Sequence, residues 1–316
     1  MSTTTIFVCG ATGTQGGAVV TNILKTTTLK AHAIARNPSS AASQSLKAAG
    51  VTLFQGDFND KDSLRTAMRG CKGLFINLMP NLADITQELS QAKRLLSVAS
   101  EVGVEHVVYA SGFSVDHPER RRHYNPDGFV TKLLLSKQQV EEAVRSAGFK
   151  YYTIIRPGNF MTNVLAPHVS MMYAGLVEKA EITTAFTPDV VLPMIDPNDI
   201  GKFATAAFLE PQRFNGQEFE IASELMGFEE LVRALGRVMG REVRIHYMSQ
   251  EEIDAQIPGN PFLGGQLMMR DMVDCVDMEK VRAWGIPLGT FGEFLERENG
   301  RVKATYGSGL NMLREH

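Results

Sequence analysis

The chain opens MSTTTIFVCGATGTQGGAVV, and its first apolar run, Ile6–Cys9, stops at Gly10, with Gly13, Gly16 and Gly17 close behind. Residues 15–26 then carry helical spacing. A strand that runs through a glycine turn straight into a helix leaves few folds open. A helix N-terminus offers unpaired N–H groups and a partial positive charge. Glycines let the backbone turn sharply and approach a pyrophosphate. Gly10, Gly13 and Gly16 are spaced GxxGxxG, not the GxGxxG of the usual dinucleotide fingerprint. The strand-turn-helix context supports a phosphate site, and the alternative is a tight turn with no ligand.

The first half keeps the same alternation. Residues 4–9, 30–35, 51–55, 73–78, 106–110 and 151–156 read as strands. Residues 41–49, 62–69, 84–102 and 130–147 read as helices, most closed by a glycine at the C-cap. Helices between successive strands imply βαβ units and a Rossmann-type, doubly wound parallel sheet. After Pro157 the rhythm changes, and 159–176 is rich in Met, Asn and aromatics without a clean period. Residues 195–201 suggest a strand end and a helix capped by Asn198 or Asp199. Residues 219–222 read as a strand, 228–239 and 251–257 as helices, and 261–265 as a loop. The expected division is a cofactor domain at 1–157, completed by segments near 190–222, and a smaller, irregular substrate domain at 158–189 and 223–316.

Composition narrows the function classes. A net charge of -3 gives no basic excess for nucleic acid or an anionic membrane. Cys9, Cys71 and Cys275 are far apart, so neither a zinc site nor a disulfide scaffold is expected, and no metal. No apolar run approaches membrane-spanning length, and no basic region precedes the first one, so a cytoplasmic protein is expected.

The end of the second strand bears on the nucleotide. A ribose 2′-hydroxyl calls for an acid there, yet the chain reads ARNPSS with Arg36. A guanidinium pairs with a 2′-phosphate, which favours NADPH/NADP+ over NAD(H); the alternative is a solvated surface arginine. Ser39 or Ser40 could donate as well. Asp57, in QGDF, is placed to meet the adenine, and Asn77, in INLMP, to face the same crevice. Either could equally be a turn or cap residue.

GATGTQGG, ARNPSS, QGDFND and IIRPGNFMTN together resemble the NmrA-like family, an atypical branch of the short-chain dehydrogenase/reductase superfamily related to isoflavone-reductase-like proteins. The resemblance spans about residues 4–300. It implies a Rossmann domain, a small C-terminal domain and a cleft between them. It implies NADP(H) held by Gly10, Thr12, Gly13, Thr14, Gln15, Gly16, Arg36 and Asn77, and a setting in secondary metabolism. Some members of the family are reductases. Others bind the cofactor without known turnover and act as redox-sensing regulators through protein partners.

The wider superfamily uses a tyrosine four residues before a lysine. None of the seven tyrosines here has that partner. By position Lys137 matches the lysine, and Leu133 stands where the tyrosine would be. Lys137 lies inside the apolar stripe of Val130, Leu133, Val140, Val144 and Ala147, so it needs a partner. Ribose or a substrate oxygen would supply one; a salt bridge to Glu141 is the alternative. Ser111, in YASGFS, occupies the place of the superfamily's substrate-orienting serine, or is a turn serine. Tyr124, in the polar loop ERRRHYNPDG, is a substitute acid if that loop enters the cleft. Arg120, Arg121 and Arg122 in the same loop are a solvated face, or attract an acidic substrate. His123 and His168 are proton-transfer candidates by type, or polar surface. The resemblance puts Asn159, Phe160 and Asn163 near the nicotinamide and substrate. Met161, Met171, Met172 and Tyr173 suit an adaptable apolar pocket, or ordinary core.

Three functions follow. One is an NADPH-dependent oxidoreductase of a small, partly apolar enone, imine or carbonyl compound. A second is an NADP(H) sensor without turnover that binds a regulatory protein. A third keeps the cofactor but performs non-redox acid–base chemistry such as cyclisation.

Overall fold

In a computed structural model of the chain, which describes residues 3–260 and 262–307, the alternation of the first half becomes one sheet. The elements are β1 (Thr4–Val8), α1 (Thr14–Leu24), β2 (Leu29–Ala35), α2 (Ala41–Ala48), β3 (Thr52–Gln55) and α3 (Lys61–Met68). They continue with β4 (Gly73–Ile76), α4 (Thr86–Glu101), β5 (His106–Ala110), α5 (Phe129–Ser146) and β6 (Tyr151–Pro157). The strands lie in the order β3-β2-β1-β4-β5-β6, followed by Gln217–Ile221 at the far edge. Neighbours from β3 to β6 are parallel. The chain reverses its direction of winding between β1 and β4, and in open sheets the crevice at that reversal is where ligands bind.

The strand period of two splits the core between two helical layers. Phe7 and Cys9 face α3, α4 and α5, in a cluster with Leu64, Leu95 and Val144. On the other face Ile6 and Gly73 meet Phe208 of the helix Pro197–Leu209. That helix packs on α1, and Gly201 makes the close approach possible: a Cβ there would lie 2.4 Å from the Ala18 carbonyl oxygen. The helix starts at Pro197, with the favoured N1 proline, so Asn198 and Asp199 sit in its first turn and do not precede it as caps. Asn198 Oδ1 accepts from Asn22 Nδ2 on α1 at 2.9 Å, and Asp199 pairs with Lys202 at 2.7 Å.

The residues divide into two compact units. The first runs to Asp116 and adds Leu133–Pro157 and Pro197–Glu220. The second takes His117–Lys132, Gly158–Asp196 and the chain from Ile221 onward. Of the segments near 190–222, the strand Val191–Ile195 lies in the second unit, between Asn159–Phe160 and Glu224–Gly227. A further two-stranded parallel sheet pairs Glu181–Thr184 with Arg244–Tyr247. The second core forms where Phe228, Leu231 and Leu235 of the helix Phe228–Met239 meet Met161, Leu192, Phe291 and Phe294.

One expected loop is instead a helix. Pro261 lies outside the described residues, and Phe262–Met269 is helical. Gly264 and Gly265 lower its helix propensity, but burial of Leu263 and Leu267 with Ala185, Met248 and Ile253 overrides that penalty.

Candidate functional site

The glycines of the first turn act through backbone geometry. Gly10 has φ +63°, and a Cβ there would stand 3.3 Å from Asn77 Nδ2 at the end of β4. Gly13 donates its N–H to the Gly10 carbonyl at 2.8 Å, which closes the turn. A Cβ on Gly16 would lie 2.4 Å from the carbonyl oxygens of Cys9 and Gly10, so only glycine lets α1 start this close to β1. Thr12, Gly13 and Thr14 are exposed. No side chain caps α1 and no acid occupies its first turn. The free amides at that end therefore keep their attraction for an anion.

Gln15 and Asn77 close the crevice between β1 and β4: Gln15 Nε2 donates to Asn77 Oδ1 at 3.1 Å, and Gln15 Oε1 is buried without a partner. Arg36 follows the end of β2, is exposed, and makes no ion pair among the described residues. Ser40 is committed elsewhere: its hydroxyl caps α2 by accepting from the Ser43 amide at 3.2 Å. Asp57, after β3, spends Oδ1 on the Asn59 amide at 2.7 Å, which is the turn role weighed against an adenine contact. Gly10, Arg36, Asp57, Asn77 and Ser111 thus all sit at the carboxyl edge of one sheet.

Lys137 does not pair with Glu141. Its Nζ lies 2.8 Å from Glu88 Oε1 on α4. Glu88 has no exposed surface, and Ser136 Oγ lies 3.4 Å from Glu88 Oε2 and 3.1 Å from the Ile85 carbonyl. Glu141 turns to Arg156, which binds it through Nε at 2.9 Å and Nη2 at 2.7 Å, and to Arg145 at 2.8 Å. Residues 137 and 141 are neighbours on α5, but the two arginines already occupy both Glu141 oxygens, Arg156 at Oε1 and Oε2 and Arg145 at Oε2. The Lys137 stem runs beside Gly112, with Cδ 3.5 Å from where a Cβ would be. Ser111 is buried, and its hydroxyl, like that of Tyr109, has no hydrogen-bond partner among the described residues. Burial first, then the charges of Glu88 and Glu141, push the Tyr109 phenol well above its usual range. Sequence reasoning missed Glu88. A signal existed: Glu88 shares the buried stripe of α4 with Ala92, Leu95, Leu96 and Ala99, just as Lys137 interrupts the stripe of α5. Two opposite charges, each on a core-facing stripe of consecutive helices, point to each other.

The second unit holds the remaining candidates. Asn159 is buried, accepts from Asn163 Nδ2 at 3.0 Å, and approaches Met194 Sδ with its amide at 3.3 Å. Tyr173 belongs to the core: it is 3% exposed and stacks on Phe228 with ring centroids 6.5 Å apart. Burial raises its phenol to about 12, partly offset by a hydrogen bond with Asn159. Met161 is core and Met172 packs half-buried against it, whereas Met171 is 52% exposed. Phe160 and Asn163 are half-buried. Tyr124 is half-buried in a segment held by Asp271, which accepts from the Arg122 amide at 3.0 Å, while its carbonyl accepts from Arg121 Nη1 at 2.8 Å. Arg120 and Arg122 remain exposed. Burial lowers His123, with Arg270 adding to the effect. His168 sits at the N-terminus of the turn Val169–Met172. No group of three or more metal-ligating side chains occurs among the described residues, and none of their helices is long and apolar enough to cross a membrane.

Residues 2–283 match the model of the NmrA-like family. The NmrA-like family domain-containing oxidoreductase FrzB of Cladobotryum sp is 30% identical over 257 residues, which cover 76% of this chain and 74% of that protein. Among solved structures, the triphenylmethane reductase of Citrobacter sp., complexed with NADP(H), superposes with a TM-score of 0.69 at 21% identity, over 93% of this chain and 99% of that one. Nmra, a negative transcriptional regulator solved in complex with NADP, gives 0.64 at 20% identity, over 99% and 94%. At these identities the two structures attest a shared fold.

Proposed function

The chain belongs to the NmrA-like family, and from that premise we propose that it is an NADPH-dependent oxidoreductase of a small, partly apolar molecule. The observation that carries this reading is the β1–α1 turn. Its helix end is uncapped, and Gly16 stands where any side chain would strike the backbone. The residues present suit a dinucleotide. The amides after Gly13 would take the pyrophosphate, Arg36 a 2′-phosphate, and Lys137 the ribose hydroxyls. NADPH, when bound there, supplies a hydride equivalent to an electron-poor carbon. Lys137 would also polarise the acceptor's oxygen or nitrogen. An enone or imine asks less of a proton donor than a ketone does, which agrees with Leu133 in the tyrosine's place. Phe160, Asn163 and Met172 are the proposed substrate-side residues. The naming of FrzB as an oxidoreductase supports the redox reading over cyclisation.

Leu133 also favours a second reading, a cofactor-binding regulator without turnover; Nmra, a negative transcriptional regulator solved in complex with NADP, shares the fold. The test comes in two steps. Dissociation constants for NADPH, NADP+, NADH and NAD+ are measured for the wild type and Arg36→Ala. NADP(H) should bind at least about tenfold more tightly than NAD(H), and Arg36→Ala should erase the difference. Failure of all four to bind below millimolar would sink both readings. If binding holds, NADPH consumption with a panel of enones and imines separates the enzyme from the regulator.

A further inference from the structure

The geometry points to Glu88 as the positioning residue for Lys137, an inference that rests on the cofactor site proposed above. The ion pair is lopsided. Glu88 is wholly buried, whereas the Lys137 side chain keeps 17% of its surface exposed. Oε1 accepts from Lys137 at 2.8 Å, and Oε2 lies 3.4 Å from the Ser136 hydroxyl, whose single proton it shares with the Ile85 carbonyl at 3.1 Å. The ammonium has three donors and gives one to Glu88, so two remain for a ligand. Glu88 is also in the first turn of the sixteen-residue α4, where the helix dipole favours a negative charge.

Stability alone is a poor reason for such a pair, because desolvating two charges offsets most of their attraction. Position is a better one. Lys137 runs past Gly112, the residue after Ser111, at the carboxyl end of β5, where this sheet class binds its ligands. A free lysine samples many rotamers and loses that freedom on binding. Glu88 fixes it beforehand, a task for which the superfamily's tyrosine position, here Leu133, offers no polar group. Glu88 touches neither cofactor nor substrate. It acts through Lys137.

A double-mutant cycle on NADPH binding tests this in the full-length protein, using Lys137→Met, Glu88→Gln and the two combined. Each single change should raise the NADPH dissociation constant about tenfold, and the combined variant should be no worse than Lys137→Met. Glu88→Asp keeps the charge on a shorter arm and should recover part of the loss. Equal losses from Glu88→Gln with and without Lys137 would overturn the inference, because Glu88 would then act on the fold at large. An unchanged dissociation constant for Glu88→Gln would overturn it too. If Glu88→Gln does not fold, Glu88→Asp decides: affinity equal to the wild type contradicts a positioning role, and weaker binding at unchanged Tm supports it. Wild-type protein that binds no NADPH would instead sink the cofactor reading on which the inference stands.

Discussion

Glu88 and Glu141 are both carboxylates with no exposed surface, and Lys137, the partner of Glu88, lies only four residues from Glu141 in sequence, yet the two are built for different ends. Glu141 is enclosed by Arg156, itself 3% exposed, and by Arg145, which in turn grips Glu218 through Nε and Nη2, both at 2.7 Å. Arg145 and the Nε and Nη2 of Arg156 spend their donors on carboxylates of the network, and Arg156 Nη1 faces two more, Glu220 at 3.6 Å and Asp116 at 3.7 Å. Glu88 has one lysine and one hydroxyl, and its lysine reaches toward solvent with donors to spare. A closed network of planar, bidentate arginines fastens α5 to β6 and to the strand Gln217–Ile221. An open pair built on lysine holds a charge ready. The difference teaches that burial of a charge says little by itself; the donors left over distinguish a fastener from a site.

The largest effect should come from opening the fastener. Arg156→Met leaves Glu141 buried with Arg145 alone and frees one side of Glu218. A loss of about 3–5 kcal/mol in unfolding free energy is expected from urea titration at pH 7. The NADPH affinity of the folded protein should stay within about twofold, because the network does not reach the glycine turn. A large loss of affinity with little loss of stability would reverse the roles assigned to the two carboxylates.

Acid unfolding would blur that comparison unless a histidine is accounted for first. His106 opens β5 and is 4% exposed. Thr153 donates its hydroxyl to the Phe214 carbonyl at 2.9 Å, so at 3.1 Å it accepts from His106 Nε2. Nδ1 therefore carries the bare lone pair, and it is buried without a partner. Protonating it would place an unpaired charged donor beside Tyr151 and Phe208. Burial accordingly lowers the group from 6.5 to about 4. Its folded value is depressed, so the unfolded chain takes up the proton first as pH falls. Stability should be full above about pH 6.5 and fall by about 3 kcal/mol toward pH 4. His106→Leu should flatten that limb in a stability–pH profile; an unchanged slope would put the acid sensitivity on the carboxylates.

Much of the first unit was legible in the sequence, because its signals are local. Glycine C-caps, β-branched runs and the GxxGxxG turn each state their own structure, and every strand and helix expected before residue 157 is present with ends shifted by about two residues. The carboxyl-edge placement of Gly10, Arg36, Asn77 and Ser111 follows from that alternation alone. What escaped depends on contacts between distant residues. Glu88 meets Lys137 across 49 positions of chain. The short strands of the second unit, such as Glu181–Thr184, are defined by partners over sixty residues away. The Phe262–Met269 helix has poor propensity and is held by its packing.

The smallest predicted effect probes the edge of the closed network. Glu220 lies 3.6 Å from Arg156 Nη1, beyond hydrogen-bonding distance, and Asp116 lies at 3.7 Å from the same nitrogen. Burial raises the Glu220 carboxyl above its usual 4.5, with Arg156 opposing the shift and Asp116 adding to it. The folded protein therefore holds this proton more tightly than the unfolded chain does. The resulting stabilisation is complete below about pH 4.5 and is lost as pH rises through the folded value. Glu220→Gln cannot ionise, so it should be more stable than the wild type at pH 7, by under about 1 kcal/mol, and equal to it at pH 4. The comparison is a pair of urea titrations at each pH. A variant less stable at pH 7 would mean that Glu220 is a full member of the arginine network, and that the closed cluster reaches one carboxylate further than its hydrogen bonds do.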